Sequence, residues 1–353
     1  MLMFVNYYKK IRNGINIDLT KEIACTKNII CTTVLHEYSL AKPRHNLSVY
    51  YQRIAPKLRH LEDILRDTNR SIEDMYYEFQ IPKASGGKRT ITAPDPALKE
   101  VQAAVAKHLT KDCKLIFHNS VHSYTKNRNC LTALQAHQKR NAKYFLKLDI
   151  KDFFPSCTPV LVYDGASKLL NTMHLDMLDT PDNGLDLTDV AFYKGALPQG
   201  SPLSPILSNI VLQEFDYYFN KYCAEHGMCY TRYADDLLIS KACGFDWEEV
   251  VNKAEELLPL GLNLKRHKTR YGSCNGKNWN LGLMYNKDKQ ITVGYKQKHT
   301  IQCAYHNLYK DMPDDFNNQL RSLIGLFQYY KYIEPDYFTA LEQKLNAKGY
   351  QTV

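Results

Sequence analysis

Tyr230-Thr231-Arg232-Tyr233-Ala234-Asp235-Asp236-Leu237-Leu238-Ile239-Ser240 is the stretch from which the rest of this chain is read. Two short apolar runs flank adjacent carboxylates, the pattern of a β-hairpin with Asp235 and Asp236 at its tip. Setting two like charges side by side between buried flanks is costly unless a cation lies beside them. Oxygens so placed suit Mg²⁺, which takes carboxylates together with substrate phosphates. A pair of such ions can stabilise both the attacking and the leaving oxygen of an in-line phosphoryl transfer. Alone the motif is weak, because Asp-Asp pairs are common as solvated turns. Asp314-Asp315 is an internal control: it follows Pro313 with no flanking strand pattern and reads as a loop.

At 353 residues and 44% hydrophobic content the chain can form one large domain or two to three smaller units around one site. No apolar run reaches the length of a membrane span, and Met-Leu-Met-Phe-Val at the start is too short for a signal-peptide core. The ten cysteines include no Cys-x-x-Cys pair, so reduced thiols in a cytoplasm are the expectation. The net charge of +9 is concentrated. Between Gly261 and Lys310 ten Lys or Arg residues face the single acid Asp288, and Lys9, Lys10, Arg12, Arg44, Arg53, Lys57 and Arg59 repeat the bias near the start. A charge run is often only a solvated face, but two basic zones interleaved with many of the 26 tyrosines favour a nucleic-acid partner.

Around the hairpin the other segments fall in order. Leu47 to Arg66 has helical spacing and a basic face, readable as packing or as an RNA contact. Phe79 to Thr92 is two alternating runs joined through Gly86-Gly87, a second hairpin whose tip carries Lys83, Lys88 and Arg89 and suits either a triphosphate or plain solvent. Ala97 to Leu109 reads as an amphipathic helix, followed by a basic aromatic loop with Tyr124, Lys126 and Arg128 suited to a template strand. Tyr144 to Asp149 reads as a strand entering an aromatic turn, with Asp149 at the end of an apolar run. That acid is either paired with Lys147 or Lys151, or the third carboxylate of a metal site. Residues 160 to 192 read as helix and then an Asp-rich loop from Asp176 to Asp189. Ala196 to Pro205 is a rigid small-residue segment opening a helix through Ile206, Ile210, Val211 and Phe215. Asp246 caps a helix to about Leu258, a cation cluster spans Lys265 to Lys268, and Asn280–Met284 pairs with Gln290–Gly294 as a third hairpin. Helices from Phe316 onward form a small bundle broken at Pro335.

Taken together, Tyr-Ala-Asp-Asp at 233–236, Leu-Pro-Gln-Gly-Ser-Pro-Leu-Ser-Pro at 197–205 and Leu-Asp-Ile-Lys-Asp-Phe-Phe-Pro-Ser at 148–156 resemble a reverse transcriptase, closely from Phe79 to Val293. The resemblance implies an α+β right-hand polymerase: a basic extension over 1–60, fingers over 61–140, a palm with an antiparallel sheet over 141–295 (with a helical insertion at about 160–195), and a helical thumb over 296–353. It implies that Asp149, Asp235 and Asp236, with the Ile150 carbonyl, hold two Mg²⁺ ions, for which Mn²⁺ can substitute. Lys268 would protonate the leaving pyrophosphate. Phe154 would exclude a 2′-hydroxyl, while Gln199 and Gly200 line the nucleotide pocket and Lys83, Lys88 and Arg89 grip triphosphate and template. Tyr124, Lys126, Arg128, Tyr233, Leu281 and Gly282 would guide primer and template.

Within that family the compact bacterial enzymes fit best: retron, group-II-intron-like, diversity-generating and defence-associated forms. The intact Gln-Gly-Ser-Pro at 199–202 sets aside the diversity-generating type. Thr132–His137 and Asn280-Leu281-Gly282 depart from the usual retron Asn-Ala-x-x-His and Val-Thr-Gly, which favours a defence-associated (unknown-group) enzyme acting with its own non-coding RNA. The expected partners are an RNA template, dNTPs and the DNA product, without a membrane; a second copy or an accessory protein stays open. So do a non-catalytic RNA scaffold, an RNA-dependent RNA polymerase (opposed by the bulk of Phe154) and priming from a protein hydroxyl.

Overall fold

The computed structural model describes residues 54–82, 86–112, 116–170, 185, 187–274, 279 and 282–352. Lys83, Leu281, Asn280 and the basic extension up to residue 53 lie outside them. In chain order the elements are helix α1 (Ala55–Thr68), strands β1 (Tyr76–Pro82) and β2 (Lys88–Pro94), helices α2 (Pro96–Lys107) and α3 (Cys130–Lys139), and strand β3 (Tyr144–Asp149). Helices α4 (Phe153–Ser156), α5 (Pro159–Leu170), α6 (Leu187–Ala191), α7 (Ser204–Val211) and α8 (Gln213–Glu225) follow. Then come strands β4 (Cys229–Tyr233) and β5 (Asp236–Lys241), helix α9 (Trp247–Leu257), and strands β6 (Arg270–Ser273), β7 (Met284–Tyr285) and β8 (Ile291–Thr292). Helices α10 (Tyr295–Asp311), α11 (Phe316–Ile333) and α12 (Pro335–Asn346) close the chain. Contacts divide it into two compact units, Met1–Ile116 with Thr158–Ser204, and Phe117–Cys157 with Pro205–Val353.

In the first unit β1 and β2 form the expected hairpin, in register from Tyr76↔Pro94 to Pro82↔Lys88. Gly86 and Gly87 turn it with φ of 88° and 78°, values that side chains rarely adopt. Asp95 accepts from the N–H groups of Ala97 and Leu98, and Pro96 fills the first position of α2, so both end signals are local in sequence. Buried Gln102 on α2 donates to the Val190 carbonyl at 2.7 Å and the Tyr76 hydroxyl at 2.8 Å, tying hairpin, helix and the α6 segment together. Asp189, expected in an acidic loop, instead lies in the short helix α6.

The second unit is built on a four-stranded antiparallel sheet in the order β4-β5-β3-β6. Alternation along β3 gives Phe145, Lys147 and Asp149 to one face. Phe145 at one end joins Leu238, Trp279, Tyr285 and Tyr305 in the core, while Asp149 at the other end is partly buried. The α+β class with an antiparallel palm sheet is therefore as expected.

The expected single helix after Pro205 is two, α7 and α8, separated at Leu212. Asp246 caps α9 as expected, accepting from Glu248 and Glu249. The terminal bundle starts earlier than Phe316, at Tyr295. Helix α10 is polar overall and buries only Ile301, Tyr305 and Leu308, spaced one turn apart, so its signal was thin. Pro335 starts α12, and Asp314-Asp315 is a turn, as expected.

His137 on α3 locks that helix to the β4–β5 hairpin. Its ring nitrogens meet the Ser240 hydroxyl at 2.6 Å and the Thr231 hydroxyl at 2.8 Å, and it is fully buried. Burial pushes it down from its ordinary 6.5 to about 3, with His122 adding to the effect. The unfolded chain takes up that proton near pH 6.5 while the fold refuses it, so this stability is complete above pH 6.5 and is lost as pH falls toward 3. At pH 5 the loss from His137 is about 2 kcal/mol. Urea unfolding at pH 7 and pH 5 is expected to show it, and a His137→Gln variant should flatten the dependence.

Candidate active site

The register places Asp149 of β3 directly opposite Asp236 of β5. The Ile150 N–H holds the Asp235 carbonyl at 3.0 Å, so the end of one strand and the tip of the neighbouring hairpin are fastened together. Three acidic residues thereby lie at one end of the sheet. The turn between β4 and β5 is tight, with Tyr233 paired to Asp236 and Ala234 at φ 55°. A left-handed alanine costs energy and persists only where its surroundings fix it. Here the Ala234 N–H donates to the Ser123 hydroxyl at 2.8 Å, and its carbonyl accepts from Arg232 at 3.2 Å.

Arg232 is itself fully buried within the strand. Its Nε and Nη2 donate to the Asp216 carboxylate at 2.8 and 2.6 Å, and Nη1 donates to Asn209 at 3.0 Å. Tyr230 completes the set by donating to Asp216 at 2.7 Å. The flanks of the Asp-Asp pair are thus not simply apolar. A buried ion pair beneath the tip fixes where the acids point.

The carboxylates themselves are neutralised unevenly. Lys147 reaches Asp236 at 2.7 Å and Lys265 reaches Asp149 at 2.8 Å. The sequence offered Lys147 or Lys151 as the partner of Asp149; the correction is that Lys147 serves the neighbouring strand's acid and a distant loop supplies Lys265. Among the described residues Asp235 forms no ion pair. Burial, then the charges of Asp236 and Asp149, push its acid up, with Lys265 opposing.

Other expected residues fall as follows. Phe154 is half-buried on α4 beside buried Phe153, just after Asp152 at φ 42°. Lys268 lies exposed in the turn Arg266–Lys268, one helical turn after Lys265. Tyr124 is 42% exposed at φ 55° and Lys126 is exposed. Arg128 is turned inward, donating to the carbonyls of His118 and Val121 and to Asn119, so it braces its own loop. Tyr233 is half-buried, and Gly282 sits in a turn at φ 92°.

In the first unit Lys88 and Arg89 are exposed at the start of β2. There the Gln199 carbonyl accepts from the Thr92 N–H at 2.8 Å. Gly200 has φ +141°, and a Cβ on it would stand 2.6 Å from the Thr92 carbonyl oxygen. Gly200→Ala is therefore expected to cost about 2 kcal/mol or more, read as a lowered unfolding midpoint. Ser204 donates to the Pro198 carbonyl at 2.9 Å and stiffens this segment.

The family profile described as reverse transcriptase (RNA-dependent DNA polymerase) matches residues 81–301. The chain belongs to that family. Among similar curated proteins, the Retron Ec83 reverse transcriptase of Escherichia coli is 29% identical over 282 residues, covering 76% of this chain and 86% of the relative. The Retron Mx162 reverse transcriptase of Myxococcus xanthus is 29% identical over 291 residues, 74% of this chain and 58% of the relative. The Retron Ec86 reverse transcriptase of Escherichia coli is 26% identical over 275 residues, 72% and 79%. An apo telomerase structure from Candida tropicalis aligns with a TM-score of 0.43 at 16% identity, over 62% of this chain and about half (54%) of that one. A retron-like reverse transcriptase is what these relatives support. Among the described residues no helix of this reverse transcriptase is long and apolar enough to cross a membrane.

The donor set fits a hard divalent cation. It consists of carboxylate oxygens, one on a desolvated acid that faces two like charges. Asp149 Oδ1 is buried and has no donor other than the Lys265 ammonium. Among the described residues no three ligating side chains are already gathered around a common point.

The sequence missed the acids that Lys147 and Lys265 meet, and the supporting roles of Arg232, Asp216, Asn209, Ser123 and His137. For Lys147 a signal existed, since alternation puts it on the face of Asp149. For Arg232 the signal was a charge in the middle of an apolar strand.

Proposed function

We propose that this chain copies an RNA template into DNA by metal-assisted phosphoryl transfer at Asp149, Asp235 and Asp236. The observation that carries the reading is the sheet end itself, where Asp149 faces Asp236 and the partly buried Asp235 forms no ion pair among the described residues. These acids, with the Ile150 carbonyl, would hold two Mg²⁺ ions. Bound Mg²⁺ supplies charge neutralisation at the triphosphate and a lowered pKa for the primer 3′-hydroxyl. Lys268 delivers the proton to the departing pyrophosphate, and the Phe154 ring excludes a ribonucleotide 2′-hydroxyl. Gln199 and Gly200 present backbone to the incoming nucleotide, while Lys83, Lys88 and Arg89 hold its phosphates. Tyr124, Lys126, Tyr233, Leu281 and Gly282 guide primer and template, and Arg128 acts indirectly by shaping the loop of Tyr124 and Lys126. Fingers, palm and thumb correspond to 61–140, 141–295 and 296–353.

The template is a cognate non-coding RNA, and the setting is a bacterial cytoplasm. The family resemblance further supports a part in antiphage defence. Purified protein with its co-purifying RNA, Mg²⁺ and labelled dNTPs or rNTPs tests the chemistry, with Asp236→Ala beside it. Incorporation selective for dNTPs and lost in the variant is expected. Bound RNA without incorporation would replace the polymerase reading by a scaffold one. Phage plating on cells carrying the wild type or Asp236→Ala tests defence; equal plating would remove that role.

A further inference from the structure

Two ammonium groups sit at the carboxylate end of the sheet with no part in the chemistry above. Lys147 Nζ lies 2.7 Å from Asp236 and Lys265 Nζ 2.8 Å from Asp149, and all four side chains are about one-fifth exposed. Lys147 meets Asp236 because it pairs across the strands with Leu238, two residues beyond that acid on the same face. Asp149 and Asp236 are direct cross-strand partners, a repulsive arrangement for like charges, and each is quenched by its own lysine. The Lys265 N–H also donates to the Asp149 carbonyl at 2.8 Å, so the base of that side chain stays anchored wherever its tip points.

We propose that Lys147 and Lys265 are resident counter-ions that hold Asp236 and Asp149 in the metal-free enzyme and are exchanged for divalent cations when the site loads. Lys147 then sets the metal concentration the enzyme requires. The inference rests on the metal-dependent reading under Proposed function. Three carboxylates against two ammoniums leave one net negative charge, too little to seat two divalent ions while both lysines stay in place. A lysine tip on a four-carbon stem can swing into water, whereas the strand backbone keeps each carboxylate where it is.

Binding of Mn²⁺, followed by electron paramagnetic resonance of the free ion, tests this on the full chain without nucleotide. Lys147→Met is expected to bind Mn²⁺ about tenfold more tightly than wild type, because the ion no longer displaces an ion pair. Its unfolding midpoint should fall in EDTA and be restored by Mn²⁺, while Lys147→Arg keeps the competing charge and wild-type affinity. Equal or weaker Mn²⁺ binding by Lys147→Met, with binding still lost in Asp235→Asn, overturns the exchange and leaves the metal site intact. No saturable Mn²⁺ binding by wild type or Lys147→Met overturns both.

Discussion

Asp235→Asn is expected to remove DNA synthesis by about a thousandfold or more while raising the unfolding midpoint of the metal-free protein. The kinetic loss follows from removing one of the charges that would hold a catalytic cation, an effect of several kcal/mol on the transition state at about 1.4 kcal/mol per tenfold. The gain in stability follows from the site's electrostatics. Burial, then Asp236 and Asp149, push the Asp235 acid above its ordinary 3.8. A carboxyl raised in the fold favours folding while protonated, and that contribution is lost as pH rises from 3.8 through the raised value. At neutral pH the ionised Asp235 therefore strains the metal-free fold, and a neutral amide of the same shape does not. Melting in EDTA at pH 7.5 should give a higher midpoint for Asp235→Asn, and added Mg²⁺ should stabilise only the wild type. A lower midpoint for the variant in EDTA would show that like-charge repulsion does not govern this corner of the sheet.

Arg232→Met should be among the most destabilising single changes in the second unit, at about 3–5 kcal/mol. It strands the Asp216 carboxylate, fully buried, with only the Tyr230 hydroxyl to meet it among the described residues. It also frees the Asn209 Oδ1 and the Ala234 carbonyl, both of which accept from Arg232. Arg232→Lys should recover little, because an ammonium cannot span both Asp216 oxygens and Asn209 at once. Replacing both members, as Arg232→Met with Asp216→Leu, should be milder than Arg232→Met alone, since no charge is then left buried unpaired. Urea unfolding of the three variants separates these cases. A loss below about 1 kcal/mol for Arg232→Met would place the pair among solvent-screened bridges instead.

Local signals determined most of the elements. Strand alternation and a Gly-Gly turn gave the first hairpin, Asp95 and Asp246 announced their helices, and Pro335 marked the last one. The acids of the site were legible for the same reason: Tyr-Ala-Asp-Asp and Leu-Asp-Ile-Lys-Asp-Phe-Phe are contiguous, so their chemistry is written in neighbouring letters. Long-range pairing decided the rest. Which lysine meets which acid depends on strand register and on a loop returning from residue 265, and no spacing in the chain encodes either. Arg232 and His137 read as ordinary polar residues until folding removed water from around them and left Asp216, Thr231 and Ser240 as their partners. Sequence carries periodicity and local caps. The pairing of buried charges is an outcome of desolvation, and desolvation exists only once the chain has closed on itself.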